Sequence, residues 1–322
     1  MNRTRTLIVA GLLAALSHFA HAQAEKWLIA GGGGVATSTY SHMIGTIAEV
    51  CSTDEVQLEE KGTNGGPANL ALLKENKVKL AIIPLDLLFA AKLDNASSVA
   101  QIKTLFPLHN EQVHLVVRSG IKKEGGLAIG GMRLGGTEVV YSRPEDLKGR
   151  PVGAVGGSAT TARILGDMLR LDWAVTDVKD TATLLNSLST GQLDAIVISA
   201  GAPSLALSKI DGGRFKLLPV RGNSDTTVVY GPAKIEYPNL NGGRSVDTLQ
   251  APALLATRVW RAPETVAKLG TLRSCLARQL PAIQDKEGTH PAWQGVTAED
   301  SGRWPYYDLP AEAPKVVGKP KK

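Results

Sequence analysis

Three times along this chain a short apolar run feeds a glycine-rich turn and then a helical pattern, and this repeat restricts the fold more than any other feature. The clearest instance runs from Pro151 to Val155, through Gly156-Gly157-Ser158-Ala159-Thr160-Thr161, into a stripe of Ile164, Leu165, Met168 and Leu169. An earlier one opens with Glu25 to Ala30, passes Gly31-Gly32-Gly33-Gly34-Val35-Ala36-Thr37-Ser38-Thr39-Tyr40, and enters a helix near Ser41 that carries Ile44, Ile47, Ala48 and Val50. Between them, Val56 to Glu60 leads through Gly62-Thr63-Asn64-Gly65-Gly66 to Pro67, which suits a first helical turn, and to Leu70, Leu73 and Val78. Further buried strands are expected at 79–83, 102–106 and 113–117. Alternating units of this kind predict an α/β fold with its helix starts at the carboxyl edges of sheets.

Those helix starts are the candidate binding groups. Glycine lets a backbone approach a ligand closely, hydroxyl side chains cap the helix, and the unpaired N–H groups of the first turn attract anions. The residues concerned are Thr37, Ser38, Thr39 and Tyr40; Gly65, Gly66 and Asn69; and Gly157, Ser158, Ala159, Thr160 and Thr161. Taken singly, each also reads as an ordinary βα turn with a good N-cap. Asp86 follows a strand end and reads either as a ligand partner or as a cap. Arg163, in a first helical turn, reads either as a carboxylate partner or as a solvated surface arginine. His114, in an apolar strand, reads as a core histidine before it reads as a ligand contact.

The ends of the chain differ from its body. Asn2, Arg3 and Arg5 precede an apolar run from Leu7 to Ala20, and Ala20-His21-Ala22 fits a small-residue cleavage site. The run is too short for a membrane span, so residues 1–22 read as a secretory leader. The formal charge of +6 falls to +4 without Arg3 and Arg5, and to +1 without the lysine-rich residues 311–322, which read as a disordered tail. A body this close to neutral gives no reason to expect nucleic acid as a partner.

Cys51 and Cys275 are the only cysteines. In an exported chain they read as a long-range disulfide or as two separate buried thiols. His42, His109, His114 and His290 lack paired ligand spacing, so neither a metal nor another cofactor is expected. Gly31-x-Gly33-x-x-Ala36 with Asp54 matches a dinucleotide fingerprint only weakly, because it lies in a glycine run. Gly156-Gly157-Ser158-Ala159-Thr160 approaches a hydrolase nucleophile elbow with Ser158 as nucleophile. However, Thr160 stands where that motif has glycine, and no acid completes a triad with His290, so catalysis is not the expected activity.

Over most of its length the chain resembles the solute receptors of the TAXI class of TRAP transporters. The resemblance lies in the opening glycine loop with Tyr40, in Gly62 to Gly66 leading to Asn69, in Phe106-Pro107 with Val113 to Arg118, in Asp146 to Val152, in Gly156 to Thr160, in Gly191 to Ala195, in Ala200 to Pro203 and in Gln250 to Leu255. It implies a two-lobed type II periplasmic-binding-protein fold with a hinge of two connecting strands, here Val113 to Arg118 and Leu249 to Ala256. Residues 23–118 with 250–310 would form one lobe and 119–249 the other, with the ligand between them and Ala200 and Gly201 added to the site. It further implies a monomeric periplasmic receptor that passes an amino acid, oxo acid or dicarboxylate to the membrane subunits of a TRAP-type transporter. The same fold would also serve an ABC importer or a sensor. Aromatic residues are only 5% of the chain, which argues against ring stacking on a sugar and for a small carboxylate. One departure stands out: the glycine-rich stretch from Gly125 to Gly136 replaces a short link and reads as a hairpin near the hinge.

Overall fold

The computed structural model describes residues 24–32, 38–120, 122–125, 127–129, 132–135, 137–298 and 304–309. The expected leader, Thr37 and the expected tail lie outside these residues. The first strand, β1 (Glu25–Ala30), buries Trp27 and Ile29. Helix α1 (Thr39–Cys51) begins two residues before the expected Ser41 because Ser38 takes the cap, its Oγ accepting from the Ser41 N–H at 3.3 Å. Met43, Ile44, Ile47 and Cys51 form its buried stripe. Strand β2 (Val56–Lys61), helix α2 (Gly66–Lys74), strand β3 (Leu80–Pro84) and helix α3 (Leu85–Asp94) complete the first α/β unit. Next comes a 17-residue strand, β4 (Ile102–Arg118).

The glycine-rich stretch folds as the expected hairpin, in two tiers. Strands β5 (Lys122–Glu124) and β8 (Thr137–Val139) pair at its base, and β6 (Leu127–Ile129) and β7 (Met132–Leu134) pair beyond them. A second α/β unit follows: β9 (Pro151–Val155), α4 (Gly157–Leu169), β10 (Ala174–Val178), α5 (Thr181–Thr190) and β11 (Ala195–Ala200). Strands β12 (Phe215–Leu218) and β13 (Gly231–Ile235) then lead to a second long strand, β14 (Val246–Arg258), and to helix α6 (Pro263–Asp285).

The strand order β10-β9-β11-β4-β14-β3-β1-β2 states the architecture. Within each unit the three short strands are parallel, and each unit is bordered by one long antiparallel strand: β14 beside β3, and β4 beside β11. This is the two-lobed α/β arrangement of the type II class. Both long strands serve both units. The start of β4 pairs with Leu254–Arg258 of β14, whereas its end pairs with Ala195–Ala200 of β11. Where they cross, Gln112 faces Gln250 and its Nε2 donates to Gln250 Oε1 at 2.9 Å. The segment Val113–Arg118, expected to be a connection, instead lies wholly alongside the second unit. The passage between units falls upstream of it, between Pro107 and Gln112.

One apolar cluster runs through both units, joining Ala30, Leu73 and Ile83 to Ala154, Ala162, Leu165 and Val197. A second cluster packs α1 and α6 against the other face of β1 and β3. The Cys51 and Cys275 sulfurs are joined there, with the two Cα atoms 5.8 Å apart and the residues 224 positions apart in sequence. The last described segment is pinned to β4: Thr104 N–H donates to the Pro305 carbonyl, and the Trp304 indole donates to the Ile102 carbonyl.

A bridge that closes so long a loop restricts the unfolded chain strongly. Its loss should lower unfolding stability by about 2–4 kcal/mol. Urea denaturation of Cys51→Ser, Cys275→Ser and the double variant should give the same loss in all three, because the first substitution already removes the bridge. An additive double variant, or a wild type indifferent to dithiothreitol, would contradict this.

Candidate functional site

A cleft of about 430 Å³ opens where the carboxyl ends of the strands in the two units face each other. From the first unit it is lined by Gly32, Ser38, Thr39, Tyr40 and the loop Thr63–Gly66, and from the second by Gly157, Ser158, Ser199, Ala200 and the turn Lys179–Thr181. Glu111, near the crossing of the long strands, also lines it.

The two glycine loops meet edge to edge. A Cβ on Gly156, whose φ is +51°, would sit 2.1 Å from the Asn64 carbonyl oxygen, so no side chain fits there. On the facing loop, a Cβ on Gly65 would lie 3.5 Å from the Gly157 nitrogen. The glycines therefore let the backbones of the two units approach across the cleft, as well as letting a ligand approach.

The hydroxyls of the second loop are not caps. Gly156 occupies the N-cap of α4, with no side-chain cap bond. Ser158 Oγ instead accepts the Ser199 N–H at 3.0 Å, tying α4 to the end of β11. Thr161 turns away from the cleft and donates to Asp86 Oδ2 at 2.6 Å. Ala159 is buried in the core, and Thr160 does not line the cleft. Arg163 is paired with Asp177 on the outer surface, its side chain 47% exposed, so the solvated reading holds for it.

Asn69 and Asp86 are also structural in their contacts. Asn69 is fully buried, its Nδ2 donating to the Ile82 carbonyl at 2.8 Å, and its Oδ1 meets the Thr63 hydroxyl. Thr63 in turn lies 2.6 Å from the Gly31 carbonyl and accepts the Gly65 N–H at 3.0 Å, which braces two of the glycine loops together. Asp86 is buried in the first turn of α3, where Pro84 holds the cap position. It accepts from Thr161, from the Tyr230 hydroxyl at 2.9 Å and from the Leu87 N–H at 2.7 Å. Burial pushes its carboxyl above the usual range. These bonds join α3 of the first unit to α4 of the second. Gly201 is buried, with His109, Ala292 and Thr39 around the space a Cβ would need. Of the expected site residues, then, Ser38, Thr39, Tyr40, Gly65, Gly66, Gly157, Ser158 and Ala200 come together at the cleft.

Sequence reasoning missed Glu111, Ser199 and the Lys179–Thr181 turn. Glu111 lies in the polar run His109-Asn110-Glu111-Gln112, between the expected strands 102–106 and 113–117, where no periodicity marks it. Its side chain is buried, bonds the Tyr40 hydroxyl, and accepts from Ser199 Oγ at 3.1 Å. Burial raises its pKa to about 8, with nearby Asp86 adding to the rise and the Tyr40 and Ser199 bonds opposing it. His109 Nε2 lies 3.9 Å away, and burial, aided by His290, pulls that imidazole down to about 3. Deeper still, His114 is a core histidine, its ring nitrogens engaged by the Ile198 carbonyl at 3.0 Å and the Tyr237 hydroxyl at 2.8 Å. The His290 Nδ1 accepts the Ala292 N–H. Ser158 thus has a main-chain partner, while His114 and His290 are engaged elsewhere, so the geometry gives no support to a nucleophile elbow.

No family model matches the chain, and no curated protein matches it. Among solved structures it is similar to a protein of Bordetella bronchiseptica RB50, at 20% identity and TM-score 0.49 over 84% of this chain and 76% of that one. It is also similar to the amino acid ABC transporter substrate-binding protein AbpA from Streptococcus pneumoniae bound to L-arginine, at 15% identity and TM-score 0.46 over 84% and 95% of the two chains. A third is holo ArgBP from T. maritima, at 13% identity and TM-score 0.47 over 80% and 90%. No residue of this chain takes its role from them.

Glu111 should leave a mark on stability. Its folded pKa, about 8, exceeds the ordinary 4.5, so the folded state holds a proton that the unfolded state releases between those values. The contribution is full below pH 4.5 and lost as pH rises to about 8, at up to about 1.4 kcal/mol per pH unit. Urea denaturation of the wild type and of Glu111→Gln across this range should give a difference that moves against the wild type as pH rises. A pH-independent difference would show that Glu111 is not held protonated.

Proposed function

We propose that this protein is a solute receptor that captures a small organic anion, an amino acid, oxo acid or dicarboxylate, in the cleft between its two α/β units. The observation that carries the reading is the cleft itself: α2 and α4 begin at it from opposite units, with glycines and hydroxyls around them. Helix starts present N–H groups and a positive dipole end, which suit a carboxylate. Ser158 accepts from Ser199 and so keeps its own proton for a ligand oxygen.

The remaining parts of the proposal follow the sequence resemblance. The protein is exported to the periplasm behind residues 1–22, acts as a monomer without catalysis, and delivers its ligand to the membrane subunits of a TRAP-type transporter. The first unit, with α6, moves as one lobe against the second, and Val113–Arg118 moves with the second because it pairs with β11 and β12. The Gly156–Asn64 approach brings the two units together beside the cleft, and the lobes part about the crossing of β4 and β14 to admit and release the ligand.

A thermal-shift screen of amino acids, oxo acids and dicarboxylates on the mature protein tests the reading. A ligand at a hundred times its Kd adds about 2.7 kcal/mol of stability. Solution scattering should show compaction on saturation with any hit, and Ser158→Ala should weaken its binding by about 1–3 kcal/mol. Response to a neutral sugar alone, or saturation without compaction, would defeat the proposal. Uptake reconstituted with ABC rather than TRAP membrane subunits would replace only the partner.

A further inference from the structure

We propose that Glu111 is the subsite for a ligand ammonium group, so that the cleft selects α-amino acids over the oxo and hydroxy acids of the same carbon skeleton. This rests on the solute-capture reading and goes beyond it by choosing among the acids that reading allows.

The geometry begins with a carboxyl group that has hydroxyl partners and no cation. Glu111 lines the cleft while only 5% exposed, and its oxygens meet the Tyr40 hydroxyl and, at 3.1 Å, Ser199 Oγ. Two hydroxyls of this kind are suited to donate to a carboxylate. The titratable groups around it do not supply a positive charge. Tyr40 reaches it from α1, and the Asp86 carboxyl from α3 and the Tyr230 hydroxyl ahead of β13 are near enough to couple to it electrostatically. On its own strand, His109 is held neutral by burial and by His290, and neither of its ring nitrogens has a hydrogen-bond partner among the described residues. Lys179 lines the cleft too, but it is 79% exposed and paired with Asp180 at 3.6 Å.

A buried carboxylate without a cation is costly, so burial holds Glu111 protonated, as its rise to about 8 reflects. A ligand carboxylate placed here would face Asp86 as well, and like charges repel. An ammonium group has the opposite effect: it supplies the missing charge, Glu111 gives up its proton to solvent, and the ion pair R–NH3+ to carboxylate forms with Tyr40 and Ser199 still donating. The ligand stays an ammonium throughout, so one proton leaves for each molecule bound near neutral pH.

Ser199 bridges the α4 start and the acid, its N–H donating to Ser158 and its Oγ to Glu111, which places the two groups on either side of one residue. A ligand with its carboxylate and ammonium on the same carbon suits two groups so close. A terminal amine on a long chain does not.

The test uses calorimetry on the full mature protein with L-alanine, L-leucine and L-glutamate, each against its 2-oxo and 2-hydroxy counterpart. At pH 7 the amino member of at least one set should bind about tenfold or more tighter than its counterparts. Titration in phosphate and in Tris should show release of roughly one proton per ligand. Glu111→Gln should weaken the amino acid about tenfold or more, leave the oxo acid nearly unchanged and abolish proton release. Ser199→Ala keeps the carboxyl group and should weaken binding less while proton release persists, which decides the matter if Glu111→Gln does not fold. Preference for an oxo or hydroxy acid, no proton release, or undiminished amino-acid binding by Glu111→Gln would overturn this inference while leaving solute capture intact. Failure of every compound to bind would overturn both.

Discussion

The antiparallel pairing of β4 with β14 is the constraint on which the rest depends. Each long strand borders one α/β unit and continues into the other, so neither sheet is complete without a strand that also belongs to its neighbour. The pairing is irregular at Pro252–Leu254 and again at Leu255–Ala256. Proline has no N–H to donate, and breaks in the ladder make a sheet bend locally. A sheet that is continuous through two lobes yet irregular at their junction holds register while allowing rotation. The Gln112–Gln250 pair sits beside it, and Gln112 Oε1 also accepts the Ala202 N–H at 2.8 Å, which links the crossing to the residues just past β11 and so to the cleft wall.

Much of the fold was legible because local rules agreed with the tertiary result. Glycine turns followed by apolar helical stripes marked α1, α2 and α4, and Pro67 marked the first turn of α2. The paired cysteines, the hairpin in the glycine-rich stretch and the core setting of His114 could be read from composition and periodicity. What could not be read was the direction of side chains on those helix starts. Thr161, Asn69 and Asp86 each carry groups suited to a ligand, but they satisfy one another and the main chain instead. Buried polar groups seek the nearest partner, and that partner is set by packing between elements far apart in sequence. Asp86 lies 75 residues from Thr161 and 144 from Tyr230, so no local pattern could report the network.

Glu111 shows the complementary failure. It lies in the polar run His109-Asn110-Glu111-Gln112 at the middle of a long buried strand, and polar departures from a strand's apolar pattern concentrate where function has set the residue. Glu111, one position from Gln112 in the pairing of the long strands, also lines the cleft, so the crossing and the cleft wall share a segment of chain.

The electrostatic layout of the cleft follows from that placement. Its lining carries a buried acid, neutral hydroxyls and main-chain N–H groups, and its lysine stands well exposed and already paired. A buried basic side chain opposite a ligand carboxylate would bind more tightly, but every opening of the lobes would then hydrate two charges and every closing would strip them. Neutral donors lower that cost on both steps, and in the exchange proposed for Glu111 the loss of its proton is matched by a ligand charge, so that neither state holds an uncompensated ion. Capture and release would then differ by small hydration terms, as the proposed solute capture requires.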